Sequence, residues 1–329
     1  METLQPQSQS VLITGANGGM GKETTKLLAK KGYNRIVMAC RTEGKAEKAK
    51  QEIVTEIQPY KVDGLEVAGG FDMNNPDEIE KAVNALPANK PFDVVFLQAG
   101  GVVFGKDFEF INYKGKKIER TIFQNTLGGY VTLFHLKRRG LLKPNARVIF
   151  AGGEGARGIP GMIEKPEFTS AQHLNQYVYG NVKSKYVDMN AMGVSKYSSA
   201  ILVQKLAELY KDEFQTVWFT PGLTYGTNGL ASKPAFERFI FEKIGFGIMA
   251  FFGLAQSPVA AAQKYVDAIE GKYGENGDVL GAPEKKMLGS ISDQKPMNSS
   301  LTNQALIDEF YSIVVDTFGE IPKKEKATA

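Results

Sequence analysis

A short apolar run, Val11-Leu12-Ile13, enters the turn Thr14-Gly15-Ala16-Asn17-Gly18-Gly19-Met20-Gly21, and a helix-forming segment, Lys22 to Lys31, leaves it. Strand, glycine-rich turn and helix, in that order, constrain this chain more than any other feature. Small residues let an anion approach the backbone, and the N–H groups at a helix start point toward negative charge. The turn is therefore expected to hold a dinucleotide through Thr14, Gly15, Asn17, Gly19, Met20 and Gly21, the plainer reading being a structural turn. A Walker A loop is rejected, because its spacing to Gly21-Lys22 would need glycine at Ala16 and a hydroxyl residue at Glu23.

Alternation continues downstream. Strands are expected at Arg35 to Cys40, Leu65 to Phe71, Phe92 to Leu97, Arg147 to Ala151, Thr216 to Phe219 and near Asp278 to Leu280. Helices are expected at Thr42 to Ile57, Asp77 to Leu86, about Lys117 to Arg139, Ala191 to Tyr210, Phe236 to Leu254, Pro258 to Glu270 and Gln304 to Phe318. Such alternation predicts an α/β fold, a Rossmann-type doubly wound parallel sheet covered on both faces, as a single domain over 1–329. Residues 152–190, rich in glycine, proline and tyrosine, read as a lid or substrate-side insertion. Residues 229–256 read as a substrate-side helical segment, and 320–329 as a frayed tail.

Composition narrows the function classes. Forty basic against 36 acidic side chains leave a formal charge of +4. Lys45, Lys48 and Lys50 alternate with Glu43, Glu47 and Glu52 as on a solvated helix face, which argues against nucleic acid. The single cysteine, Cys40, allows no internal disulfide, and with His135 and His173 as the two histidines no metal cluster is expected. A reducing, cytoplasmic setting fits. The longest apolar stretch, Ile244 to Ala255, is short of the roughly 20 residues a bilayer-spanning helix needs. Peripheral membrane contact stays open, because Phe236 to Phe252 suits an apolar substrate, a membrane surface or burial as a core helix.

The second strand ends Ala39-Cys40-Arg41, where a carboxylate would accept the ribose hydroxyl of NAD. Arginine there suits the 2′-phosphate of NADP(H), with Lys45 assisting, the alternative being an exposed charge at a helix start. Asp72 is placed either to accept from an adenine amine or to shape a turn.

The turn Thr14-Gly15 with Gly19 and Gly21, followed by Arg41, Asp72 and Ala99-Gly100, resembles the short-chain dehydrogenase/reductase superfamily. Within it, Ile36-Val37-Met38-Ala39-Cys40-Arg41 and Lys45-Ala46-Glu47-Lys48-Ala49 are most similar to light-dependent protochlorophyllide oxidoreductases and their retinol dehydrogenase relatives. Further matches are Asn125 in Phe123-Gln124-Asn125-Thr126-Leu127-Gly128, Lys196 in Gly193-Val194-Ser195-Lys196, and Pro221-Gly222 followed by Thr227. The resemblance implies NADP(H), with Met73, Ala99, Gly100, Lys196, Pro221, Gly222 and Thr227 joining the cofactor contacts, and makes a homo-oligomer compatible with the chain.

It also implies a catalytic set that this chain breaks. In the family a tyrosine four residues before the lysine moves the proton, a serine after the fifth strand polarises the substrate oxygen, and an asparagine organises a water relay. Four before Lys196 stands Met192, whose thioether cannot titrate, and the serine position falls near Gly153. Asn125 and Lys196 remain. Candidate replacements for the proton donor are Glu154, whose alternative is a solvated or turn-capping carboxylate, and Tyr186, which shares a face with Lys196 only if the helix reaches that far back. Tyr177, Tyr179 and His173 lie in the expected lid, where packing is the alternative. The resulting expectation is an NADP(H)-dependent reductase of a bulky apolar carbonyl or enone. A non-catalytic NADP-binding scaffold and a non-redox enzyme are the other readings.

Overall fold

The computed structural model describes residues 9–60, 62–225 and 255–323. Seven parallel strands and one antiparallel edge strand form its sheet: β1 (Ser10–Thr14), β2 (Arg35–Ala39), β3 (Leu65–Ala68), β4 (Phe92–Leu97), β7 (Leu142–Ala151), β8 (Phe214–Phe219), β9 (Val279–Gly281) and β10 (Ser292–Asp293). Their spatial order is β3-β2-β1-β4-β7-β8-β9-β10. Chain order reverses between β1 and β4, so a crevice opens at the carboxyl ends of these two strands.

The helices follow from capping and from the apolar faces of the strands. Helix α1 (Gly19–Lys30) and α2 (Glu43–Glu56) lie on the face toward which Val11, Ile13, Ile36 and Met38 point, and α8 (Pro258–Ile269) packs on α1 there. Leu12 and Val37, one residue out of phase, bury into the opposite cluster with α3 (Pro76–Ala85), α5 (Gly128–Arg138), α7 (Asp188–Leu209) and α9 (Gln304–Phe318). Thr42, Asn75, Ser257 and Asn303 cap α2, α3, α8 and α9 through their side-chain oxygens. Helix α7 is buried continuously from Gly193 to Val203, because the sheet covers one side and α9 another.

Two expectations are corrected. The segment from Lys117 does not begin a helix: β5 (Phe110–Tyr113) and β6 (Lys116–Glu119) form a separate antiparallel hairpin, and α4 (Arg120–Ile122) starts only after it. Glu119 stops the strand and caps the helix by accepting from the Thr121 and Ile122 N–H groups, both at 2.8 Å. The 152–190 stretch is also more ordered than read, carrying a 3₁₀ turn (Glu154–Arg157), α6 (Ala171–Val178, capped by Ser170) and the first turn of α7. The helix read at Phe236 to Leu254, nearly all of the 229–256 segment, Thr227 and residues 324–329 of the tail lie outside the described residues. Among the described residues, no helix is long and apolar enough to cross a membrane, and no group of three or more His, Cys, Asp or Glu is arranged to hold a metal ion.

Candidate active site

The crevice at the reversal point is a cleft of about 810 Å³. Its floor is the turn after β1. Gly15 has φ +71° and Gly19 φ +51°, conformations that side chains disfavour. A Cβ on Gly21 would lie 2.6 Å from the Gly15 carbonyl oxygen and 2.4 Å from Gln98 Oε1, so only glycine lets α1 begin this close to the turn. The N-terminus of α1 has no side-chain cap and no acid in its first turn, unlike α2 and α3. Its N–H groups are left for an anion.

Thr14 works from behind. Its Oγ1 accepts from Gln98 N (2.9 Å) and Ala99 N (3.0 Å), tying the turn to the exit of β4. Asn17, Gly18, Met20, Arg41, Lys45, Asp72, Met73, Ala99, Gly100, Met192 and Lys196 all line the cleft with Gly15 and Gly19. Arg41 and Lys45 are exposed and have no ion-pair partner among the described residues, so both charges are available to a phosphate. Asp72 accepts from Asn74 N at 3.0 Å, which gives it the turn role and leaves its other oxygen for a ligand. Thr14, Gly21, Pro221 and Gly222 lie behind or beside the cleft rather than on its wall; the Pro221 carbonyl is taken by Gln256 Nε2 (2.7 Å) and Lys264 Nζ (2.9 Å).

The residues fit a bound dinucleotide on an observation independent of motif. Gln98 Oε1 and Asn74 Oδ1 are buried without a hydrogen-bond partner, and both residues line this cleft. An unpartnered buried polar atom costs about 1–3 kcal/mol, which a ligand entering the cleft would relieve.

Asn125 sits in a π-helical turn (Phe123–Leu127) that interrupts the helix between α4 and α5. Both ends of its amide are engaged: Oδ1 accepts from Gly101 N (2.9 Å), and Nδ2 donates to the carbonyls of Thr121 (2.9 Å) and Gly101 (3.0 Å). Asn125 thereby clamps the loop after β4, and its side chain does not line the cleft.

Lys196, on α7, does line it. Its Nζ donates to the Ala151 carbonyl at the end of β7 (2.8 Å). Burial pushes this ammonium down to about 8, against a smaller upward pull from Glu154. Met192 lies one turn earlier on the same cleft wall, and a Cβ on Gly153 would be 3.3 Å from Lys196 Cγ. Met192 and Gly153, where the resemblance puts the family tyrosine and serine, thus flank Lys196, and neither carries a hydroxyl.

Neither candidate replacement lines the cleft. Glu154 is buried behind it, accepting from Thr220 Oγ1 at 3.2 Å and from Ala282 N at 3.4 Å, and burial raises its pKa. Tyr186 precedes the start of α7, so the helix does not extend back to it; its hydroxyl donates to the Val103 carbonyl (2.6 Å), and burial pushes it up to about 12. Tyr177 packs edge-on against Phe108 and Phe168, Tyr179 is half-buried with α9 residues around it, and the His173 ring faces Phe168. Of the whole 152–190 stretch only Gly152 reaches the cleft.

The sequence reading missed Asn74, Gln98, Val102, Val103, Phe104, Arg120, Gln124 and Tyr265, all of which line the cleft. Gln98 had a signal, standing directly before Ala99-Gly100 at the end of β4. Arg120 was hidden by placing it inside a helix, and Tyr265 arrives from α8, far away in sequence.

A family model for short chain dehydrogenases matches residues 9–161. An NADPH-dependent 1-acyldihydroxyacetone phosphate reductase of Saccharomyces cerevisiae is 30% identical over 188 residues, covering 55% of this chain and 57% of that protein. The chloroplastic protochlorophyllide reductase of Cucumis sativus is 31% identical over 147 residues, 44% of this chain and 35% of the relative. The chain thus spans less than two thirds of either relative. Among solved structures, a protein from Mycobacterium paratuberculosis superposes with a TM-score of 0.67 at 17% identity over 98% of both chains, a likeness of fold.

Proposed function

The chain belongs to the short-chain dehydrogenase/reductase superfamily, and from that premise we propose that it is an NADP(H)-dependent reductase of a bulky apolar carbonyl or enone, with Lys196 in place of the family tyrosine as proton donor. One observation carries the reading. A single cleft joins the uncapped start of α1, the paired cations Arg41 and Lys45, and the buried ammonium of Lys196.

A nicotinamide bound in the cleft would supply the hydride. The chain's own residues have three tasks. The α1 N-terminus and Arg41 with Lys45 take phosphate charge. Val102, Val103, Phe104 and Met192 give an apolar wall that excludes water and holds the substrate's body. Lys196 Nζ then presents a proton to the oxygen that gains charge when a carbonyl is reduced. An ammonium near 8 is matched to that task at neutral pH, whereas Glu154 and Tyr186 are turned away from the cleft. For an enone, water can protonate the carbon, so loss of the tyrosine weighs less there.

The test is turnover with NADPH on a panel of apolar aldehydes, ketones and enones, with product identified. NADPH-dependent turnover on any class supports the reductase, and carbonyl reduction lost in Lys196→Met supports Lys196 as its proton donor. A second reading, a non-catalytic NADP-binding scaffold, is favoured by the missing hydroxyls at Met192 and Gly153; NADPH binding without turnover on any class would select it.

A further inference from the structure

Arg120 stands apart from the other cleft cations. It follows the β5–β6 hairpin, and its neighbour Thr121 shares the Tyr186 hydroxyl with the Val103 carbonyl, at 3.3 and 2.6 Å. Arg120 therefore enters beside the apolar Val102–Phe104 wall, not with Arg41 and Lys45 on the loop after β2. Its Nη1 pairs with Glu109, a partly exposed and therefore weak ion pair. Its Nε is buried and has no hydrogen-bond partner. The Nε-side edge of a guanidinium is the edge that grips a carboxylate or phosphate with two parallel hydrogen bonds. Among the described lining residues the one acid is Asp72, on the loop after β3. The two carboxylates beside Arg120 lie off the cleft wall and are already engaged, Glu109 with Nη1 and Glu119 with the Thr121 and Ile122 N–H groups.

We propose that Arg120 anchors an anionic group, a carboxylate or a phosphate, carried by an otherwise apolar substrate whose body lies along Val102–Phe104. This rests on the reductase reading and specifies its substrate class: amphipathic, with one negative terminus. The orphaned Nε–H is then a group waiting for its acceptor, and the cleft selects against neutral analogues because their single uncharged oxygen cannot form the paired charge-assisted bonds.

The experiment is calorimetric titration of octanoate, octyl phosphate and octanol into the NADPH-loaded protein. At least one anion should bind roughly ten- to a hundredfold more tightly than the alcohol, the range expected of hydrogen bonds to a charged group. Comparing octanoate with octyl phosphate tells which anion the site takes. Arg120→Gln should erase that margin with NADPH affinity unchanged, and Arg120→Lys should keep part of it, since an ammonium retains charge but not the two-point edge. Equal binding of alcohol and anions, or a margin that survives Arg120→Gln, overturns the anchor while leaving the reductase reading in place. A parallel loss of NADPH affinity in Arg120→Gln would instead make Arg120 a cofactor ligand and overturn the proposal. Failure of the unaltered protein to bind NADPH would take the reductase reading down with it.

Discussion

If Lys196 is the proton donor, its protonation sets the pH dependence of carbonyl reduction. Burial brings this ammonium from an ordinary 10.5 to about 8, because the low-dielectric interior disfavours the charge more than Glu154 favours it. That lowering corresponds to about 3 kcal/mol of disfavoured charge. The sign is definite. Below 8 the folded and unfolded chains both carry the proton, and the folded chain bears the burial cost. Between 8 and 10.5 the folded chain sheds the proton while the unfolded chain keeps it, so that cost is relieved and stability rises with pH across this window. Catalysis moves the other way: the single-turnover rate of the NADPH complex should be flat below about 8 and fall about tenfold per pH unit above it. Lys196→Met should remove the alkaline limb and lower carbonyl reduction by roughly 10²–10⁴-fold, the range for losing a general acid. A rate that stays flat past pH 10, or an alkaline limb that persists in Lys196→Met, would refute Lys196 as the donor.

Other expectations follow from the same geometry. On the proposed function, Arg41→Asp places a carboxylate where the 2′-phosphate would be held and should weaken NADPH by roughly 10- to 100-fold with little change for NADH, read by nicotinamide fluorescence; equal losses would remove Arg41 from phosphate recognition. Met192→Tyr restores a hydroxyl one helical turn from Lys196 and should raise the rate on carbonyl substrates more than on enones; no gain on either would mean that the wall around Gly153 must be rebuilt as well. Gly21→Ala puts a Cβ 2.6 Å from the Gly15 carbonyl oxygen, so the turn or α1 must move; NADPH affinity should fall at least about tenfold, and Tm should drop by several degrees, the shift that about 1–3 kcal/mol of overpacking gives.

Much of the cleft lining contributed by the loops after β1 and β2 is legible in the sequence because it is local. Turn, strand end and helix start lie within a few residues of one another at Gly15–Gly21 and at Arg41–Lys45, and strand alternation alone predicts which sheet edge they share. Phe92–Leu97 and Gln304–Phe318 match their expected bounds for the same reason, one being a bounded apolar run and the other an apolar-periodic segment capped by Asn303. The substrate half depends on long-range packing. Tyr265 reaches the cleft from α8, and Arg120 reaches it because Glu119 ends a strand that looks helix-compatible in sequence. Its place after β7 makes Glu154 a candidate proton donor, yet the 3₁₀ turn directs its carboxyl to Thr220 and Ala282. No periodicity encodes that direction.

Every other prediction depends on the cleft being an NADP(H) site. Titrating the purified protein with NADPH and with NADH, by nicotinamide fluorescence, tests this directly. Saturable NADPH binding, roughly tenfold or more tighter than NADH, is the predicted result, from charge-assisted contacts of Arg41 and Lys45 with the 2′-phosphate. NADH bound as tightly as NADPH would contradict the assignment of these two cations, and no binding of either would contradict the site itself.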